Sequence, residues 1–471
     1  MFELKDFSVT YAGCPDWILQ DIHLCREVPG CLGLIGENGS GKTTLAAALT
    51  GVIPEYINGS IRGIVSLDGE NLSLLPLSRR LEKVAYVLQD FESQILFGNV
   101  RNILGLNEKN TCKDILYKAI ELLKIEHLLQ CSPSSLSSGE LQRIVLAASL
   151  RGNPALLIYD EVTSVLDPLL KQKLQEYIAW LSEMGKYILL MGQRSSLLSL
   201  YTNRIYRIKN HSIVPDGPEE ECSINVDWSL LEKQKPGTES SGNLLLEKLL
   251  LVRKNNENSF CLNIEGMVLP RGETIAVLGA NGSGKTTFFN LLYGLIKPDY
   301  CRIVWGTKKY EGSRLKELGN SIDYVMHNPY HGITCNTVLG ELNSTATDET
   351  CIHHIFKLFP FLLPEIDPYN LSFGQLRMLS FLQSILRDKP LLCLDEPEYG
   401  LDNKNYALVQ QYLQYNCNEK VKTILFSTHD LELAKRCSNR VILFKAGKIC
   451  AMEKTEDISD LYSWFISYYE D

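Results

Sequence analysis

Short unbroken apolar runs punctuate this chain, and they come in pairs. Leu32-Gly33-Leu34-Ile35 and Thr274-Ile275-Ala276-Val277-Leu278 each run into a glycine turn. Leu156-Leu157-Ile158-Tyr159 and Leu391-Leu392-Cys393-Leu394 each run into Asp-Glu. Runs this short, without polar alternation, predict strands buried on both faces, as in a parallel sheet. Glu140 to Leu150 and Gln375 to Leu386 instead carry apolar residues at helical spacing behind Ser-x-Gly starts, and predict helices. Strands alternating with helices predict an α/β fold with helices on both faces of the sheet.

The pairing extends along the chain. Leu136-Ser137-Ser138-Gly139-Glu140 matches Leu371-Ser372-Phe373-Gly374-Gln375, and the step from Leu136 to Asp160 equals that from Leu371 to Asp395. A whole domain was duplicated and then diverged. A chain of 471 residues exceeds one ordinary core, and two domains of about 200 residues each are expected. The stretches Pro215 to Glu221 and Lys235 to Gly242 are Pro/Gly/Ser-bearing and acidic, as linkers are. The expected division is therefore a first domain over 1–213, a linker over 214–243 and a second domain over 244–471.

The glycine turns carry the chemistry. Gly36-Glu37-Asn38-Gly39-Ser40-Gly41-Lys42-Thr43-Thr44 recurs as Gly279-Ala280-Asn281-Gly282-Ser283-Gly284-Lys285-Thr286-Thr287. Both fit G-x-x-x-x-G-K-[ST], whose glycines let backbone N–H groups close around phosphates. Lys42 and Lys285 would reach the β/γ oxygens, and Thr43 and Thr286 would ligate Mg²⁺. At the acidic strand ends, Asp160 and Asp395 would hold the Mg²⁺ shell, and Glu161 and Glu396 would polarise the attacking water. Ser137 with Gly139, and Ser372 with Gly374, stand at helix starts where a hydroxyl and amides form a second anion site.

Composition narrows what this engine can act on. A net charge of −9 argues against a broad nucleic-acid surface, which would need clustered Lys/Arg, and leaves room for a local basic patch. Fourteen cysteines lie scattered without a C-x-x-C pair, which suits reduced thiols in a cytosolic protein rather than zinc or a disulfide framework. The start lacks the basic and apolar regions of a signal peptide, and no run of about 18 apolar residues spans a bilayer. Any membrane role is expected to come through a partner.

With these motifs in place, the chain resembles an ATP-binding cassette (ABC) ATPase with two fused nucleotide-binding domains, over nearly all of its length outside the linker. The resemblance implies two P-loop NTPase domains, each with a helical signature subdomain and an N-terminal antiparallel β part. It further implies a head-to-tail pseudo-dimer with two composite sites. One pairs Lys42, Asp160 and Glu161 with Ser372 and Gly374; the other pairs Lys285, Asp395 and Glu396 with Ser137 and Gly139. The D-loops match Ser164-Val165-Leu166-Asp167 and Tyr399-Gly400-Leu401-Asp402. Tyr11 falls where the family stacks an aromatic on adenine, with Arg253 at the matching place in the second half.

The two halves depart from the family in opposite ways. The first keeps Gln89 at the Q-loop, a ligand toward Mg²⁺ and the water, but has Gln193 where the switch histidine belongs. The second keeps His429 as the switch but has His327 at the Q-loop metal position. Glutamine can donate to a γ-phosphate yet cannot take up a proton near neutral pH as imidazole can. The site around Lys42 is expected to be the slower one.

Finally, Gln89-Asp90-Phe91-Glu92-Ser93-Gln94-Ile95-Leu96-Phe97 resembles the Q-loop run of energy-coupling factor (ECF) importers and related cobalt/nickel uptake ATPases. His327-Asn328-Pro329 keeps the proline in the second copy. This resemblance implies a transmembrane scaffold subunit, a small substrate-binding membrane subunit that carries a vitamin or metal ion, and a peripheral place on the cytoplasmic face of the membrane. Gln94, Phe97 and the run around Pro329 are expected to line surfaces for coupling helices. Tandem sugar-importer ATPases and soluble two-cassette proteins of the ribosome are the alternatives. A coiled-coil DNA-repair ATPase lacks support, since no heptads separate loop from signature.

Overall fold

The computed structural model describes residues 1–471 except 38, 96–97, 107–111, 134–135, 137, 164–165, 218–225, 232–241, 255–258, 346–348, 420–421 and 470–471. The chain divides into two compact units, Met1–Glu220 and Glu221–Asp471.

In the first unit a six-stranded sheet runs Ser212–Pro215, Ile205–Lys209, Gly30–Ile35, Tyr187–Gly192, Leu156–Asp160, Val84–Val87. Its last five strands are mutually parallel, and only the edge pair is antiparallel. The second unit repeats the order with Lys448–Lys454, Arg440–Lys445, Thr274–Gly279, Thr423–Ser427, Leu391–Asp395 and Ile322–Val325. Each unit adds a four-stranded antiparallel sheet, built on Phe2–Tyr11 and on Leu244–Lys254 respectively. Every residue of Gly30–Ile35, Leu156–Asp160, Thr274–Gly279 and Leu391–Asp395 is buried. Covered on both faces, these strands need no polar alternation, which is why their sequences are continuous apolar runs.

The sheet register prepares the sites. Asp160 lies opposite Met191 on the neighbouring parallel strand, and Asp395 opposite Ser427. Residues just past these strand ends, Gln193 and His429, are thereby delivered beside Glu161 and Glu396. In open parallel sheets ligands gather at the carboxyl ends of the strands, and all these groups sit there.

The predicted helices form as Ser138–Ala148 and Phe373–Leu386. Ser372 begins the latter with a capping box: its Oγ accepts from the Gln375 N–H at 3.3 Å, and its own N–H donates to Gln375 Oε1 at 2.9 Å. A serine three residues before glutamine thus stops the helix from starting earlier and satisfies two terminal donors.

Part of the stretch read as linker is packed. Val226, Trp228 and Leu231 are buried, and Trp228 meets Phe381 and Tyr412 edge-on, with ring centroids 6.5 and 5.2 Å apart. Residues around Trp228 therefore belong to the helical layer of the second unit, although Pro, Gly and Ser on either side give the stretch a linker composition. No helix of the described residues is long and apolar enough to cross a membrane.

Candidate nucleotide sites

Each phosphate loop leaves a buried strand and enters a helix, Lys42–Thr50 in one unit and Lys285–Tyr293 in the other. Gly39 and Gly41 have φ of +80° and +106°, and Gly282 and Gly284 have +76° and +110°. These left-handed values let the loop wrap tightly, and only glycine takes them without strain. Lys42 Nζ donates to the carbonyls of Gly36 (2.6 Å) and Glu37 (3.1 Å); Lys285 Nζ does so to Gly279 (2.8 Å) and Ala280 (3.2 Å). Both lysines are only 6% exposed. Ser40 and Ser283 each bury a hydroxyl with no hydrogen-bond partner in the protein, as a loop shaped for an external polar ligand would. Asn38 and Ser137 lie outside the described residues, as do Phe97 and the D-loop pair Ser164-Val165.

Asp160 ends its strand within reach of two hydroxyls. Thr43 Oγ1 is 3.3 Å from its Oδ2, and Tyr86 donates to the same oxygen at 3.0 Å. Asp395 takes the equivalent bond from Tyr324 at 3.2 Å and another from Ser427 at 2.6 Å; Thr286 is exposed at its loop. Burial and the adjacent carboxylate hold both phenols well above their ordinary range, so they remain donors. The sequence reading missed both tyrosines, which are three residues ahead of Gln89 and His327. Burial raises the Asp160 carboxyl against the opposing pull of Tyr86, Lys42 and Thr43.

The next residue in each copy is bent backward. Glu161 and Glu396 have φ of +54° and +51°, a left-handed conformation that costs a non-glycine residue about 1–3 kcal/mol and clusters at functional sites. The bend aims each carboxylate at the residues past the neighbouring strand. Glu161 accepts from Gln89 Nε2 at 2.9 Å and from Gln193 Nε2 at 2.6 Å. Glu396 faces His327 Nε2 at 3.4 Å and His429 Nε2 at 3.0 Å. The two units thus use one geometry with different chemistry: a carboxylate between two amides, and a carboxylate between two imidazoles.

The electrostatic outcome is opposite. Burial raises the Glu161 carboxyl, outweighing the Gln193 bond and Lys42. Burial would raise Glu396 too, but His429 and then His327 hold it well below the ordinary carboxylate range. Gln89 and His327, read as metal groups, direct their side chains to these glutamates.

Further groups surround the second site. Arg377, 1% exposed, donates to the backbone carbonyls of His327, Asp395 and Glu396. Its counterpart Gln142 donates to the Val162 carbonyl at 2.9 Å. His327 stacks on Tyr399 (5.0 Å, 16°), and Tyr399 meets Phe373 edge-on, so Q-loop, D-loop and signature of that unit are joined by rings. Tyr469 accepts from the Ala280 N–H at 2.9 Å and donates to the Phe444 carbonyl at 2.7 Å, tying the chain after the last helix to the phosphate loop.

At the base end, Tyr11 places its hydroxyl 3.1 Å from Thr44 Oγ1, alongside the first loop. Arg253 is exposed, opposite Phe260 in the antiparallel pair. Phe260 lies beside the second loop, its ring tip 3.1 Å from where a Cβ on Gly284 would stand.

Gln94 is bonded within its own loop. Its Oε1 accepts from the Leu88 N–H and its Nε2 donates to the Tyr86 carbonyl, both at 2.9 Å. The side chain closes the Q-loop on itself.

Comparison with known proteins gives the family and the fold. The family model described as ABC transporter matches residues 19–164 and 262–398, and the chain belongs to that family, with two ABC domains in tandem. It is an ATPase. A protein of Caldanaerobacter subterraneus subsp. tengcongensis, named as a candidate ABC transporter ATP-binding protein, is 24% identical over 97% of this chain and 91% of its own. One of the same description from Methanosarcina mazei is 28% identical over 95% and 94%. Among solved structures, the archaeal ribosome recycling factor aABCE1, in complex with the ribosomal stalk protein aP1, matches with a TM-score of 0.67 and 22% identity over 96% of this chain and 90% of its own. A structure named RNase-L Inhibitor matches with a TM-score of 0.67 and 21% identity, covering 96% and 91%. At these identities the structural likeness concerns the fold.

Proposed function

We propose that this chain is the ATP-hydrolysing subunit of an ECF-type importer. Its two cassettes close head to tail as a pseudo-dimer, on the cytoplasmic face of the membrane, against a transmembrane scaffold subunit. A small membrane subunit then carries the vitamin or metal ion. The observation that carries the reading is the wiring of the first Q-loop. Gln89 is bonded to Glu161, and Gln94 pins the main chain on either side of Val87, at the Tyr86 carbonyl and the Leu88 N–H. A partner helix that displaces this loop moves Gln89 against Glu161, which couples a docked partner to the state of the first site. The relatives' own descriptions, over nearly the whole chain, support a transporter.

In this arrangement Lys42, Asp160 and Glu161 receive ATP with Ser372 and Gly374, and Lys285, Asp395 and Glu396 receive it with Ser137 and Gly139. Backbone amides of the loops and the lysines hold the phosphates. Tyr11 on one side and Phe260 on the other meet the base. The donors near each metal position are oxygens (Thr43 and Asp160; Thr286 and Asp395), which suits Mg²⁺, and no cluster of three His/Cys/Asp/Glu competes for a softer ion among the described residues. Mg²⁺ there would neutralise charge on the β- and γ-phosphates. Glu396 orients the attacking water, and His429 offers its proton-bearing ring to the γ-phosphate. ATP favours closure only while its γ-phosphate bridges the two halves, so hydrolysis removes that preference.

The test is isolation of the chain from membranes with its partners identified by mass. One multi-span scaffold plus a small membrane subunit is expected. Ribosomal proteins in their place would instead identify a soluble ribosome-associated ATPase.

A second expectation concerns the two tyrosines. Partners of metal-holding carboxylates typically contribute about 10–100-fold in metal affinity or activity. Tyr324→Phe should therefore raise the Mg²⁺ concentration for half-maximal ATPase by about tenfold or more. An unchanged Mg²⁺ titration would separate Tyr324 from the metal site.

A further inference from the structure

Beside the second site lies a buried carboxyl that the reaction as described does not use. Glu398 is 8% exposed, two residues past Glu396. Its Oε1 accepts from the Thr428 hydroxyl, and its Oε2 is buried with no hydrogen-bond partner. Thr428 in turn accepts from the Asp430 N–H at 2.9 Å, so its hydroxyl braces the turn on which His429 stands. The first unit has Thr163 where Glu398 stands and Gly192 where Thr428 stands. Neither half of the contact exists there, and the residue that follows Gly192 is Gln193. The carboxyl–hydroxyl grip occurs in the unit whose switch residue is an imidazole.

We propose that Glu398 is a positioning residue for ATP hydrolysis at the second site, holding Thr428 so that His429 is aimed at Glu396. This rests on the reading that Glu396 and His429 perform the chemistry there. Three charged groups face Glu398: Glu396 in its own turn, Asp430 past the adjacent strand, and Arg377 from the signature helix. Burial, and then the Glu396 charge, push the Glu398 carboxyl up to about 7. Below that pH the group is neutral and Glu396 is the nearby anion. Above it a second negative charge appears beside Glu396, with one oxygen unpartnered, and opposes the approaching phosphate. Turnover at the second site should fall as pH rises through this value.

The experiment measures steady-state ATPase of the full chain carrying Glu161→Gln, from about pH 6 to 8, so that the second site dominates. Glu398→Gln, which cannot ionise, should abolish the decline across this range. Glu398→Thr, the residue of the first unit, should lower kcat by about tenfold, the worth of one well-made hydrogen bond, and leave KM for ATP unchanged. A Glu398→Gln profile that superimposes on the parent profile, or a Glu398→Thr defect confined to KM, would overturn the proposal. Glu396→Gln in the same background serves as the discriminator. If it leaves hydrolysis intact, the site reading and this inference fall together. If it abolishes hydrolysis while the Glu398 variants behave like the parent, only the role of Glu398 falls.

Discussion

Glu396→Gln should cut the ATPase rate of the full chain by about 10²–10⁴-fold, the usual worth of a positioned acid–base group, whereas Glu161→Gln should cost a modest factor. Both glutamates are bent into the same left-handed turn and both are gripped from two sides. The difference lies in the grip. Two amides around Glu161 can donate hydrogen bonds but cannot accept a proton or carry charge against a phosphate. Two imidazoles around Glu396 can do both. A larger loss from Glu161→Gln would reverse the assignment and make Gln89 the mark of the working site.

A pH consequence follows from the same contacts. Burial raises Glu161, so on acidification it takes up its proton at a higher pH than an ordinary carboxyl. His429 and His327 hold Glu396 well below the ordinary range despite burial, so it stays ionised further into acid. Activity remaining in Glu396→Gln should therefore vanish at a higher pH on acidification than activity remaining in Glu161→Gln. Coincident acid limbs in the two mutants would show that neither carboxylate sets them.

What the sequence disclosed was whatever local chemistry enforces. The phosphate loops were legible because wrapping a phosphate needs glycines at fixed offsets from a lysine. The flanking strands were legible because burial on both faces removes polar residues. Gln89 and His429 were identified as kept and Gln193 and His327 as departures, but their convergence in pairs on Glu161 and Glu396 depends on which strands are neighbours. That information lies in the register between Asp160 and Met191 and between Asp395 and Ser427. For the same reason Glu398 and Arg377 gave no signal: each is an ordinary charged residue until the fold buries it beside the other site residues. Tyr86 and Tyr324 passed as apolar strand residues, since only a hydroxyl at the far end distinguishes their role. Trp228 was masked by the composition around it, and the bonds that Gln94 makes to its own loop depend on how that loop folds back.

Lys42→Ala and Lys285→Ala should each remove one of two bound nucleotides in an equilibrium titration with MgATP. Each ammonium is buried and held by two carbonyls of its own loop, which places it where the β- and γ-phosphates would sit. A hydrogen bond to a charged group is worth about 1.5–3 kcal/mol, so its loss weakens binding by roughly 10- to 150-fold, enough to empty one site near saturation of the other. The two mutants should nevertheless differ. Lys285 Nζ lies 3.4 Å from His429 Nε2, and a neighbouring cation disfavours the charged imidazole. Removing it frees His429 to protonate more readily against Glu396. Lys285→Ala should therefore lose its nucleotide and also tighten the pair formed by His429 and Glu396, a change visible as an upward shift in the His429 titration by NMR. The first unit has Gln193 at the position of His429, so Lys42→Ala should leave the histidine titrations where they were. A stoichiometry of two in either mutant would remove that loop from the binding site, and identical histidine titrations in both would detach His429 from Lys285.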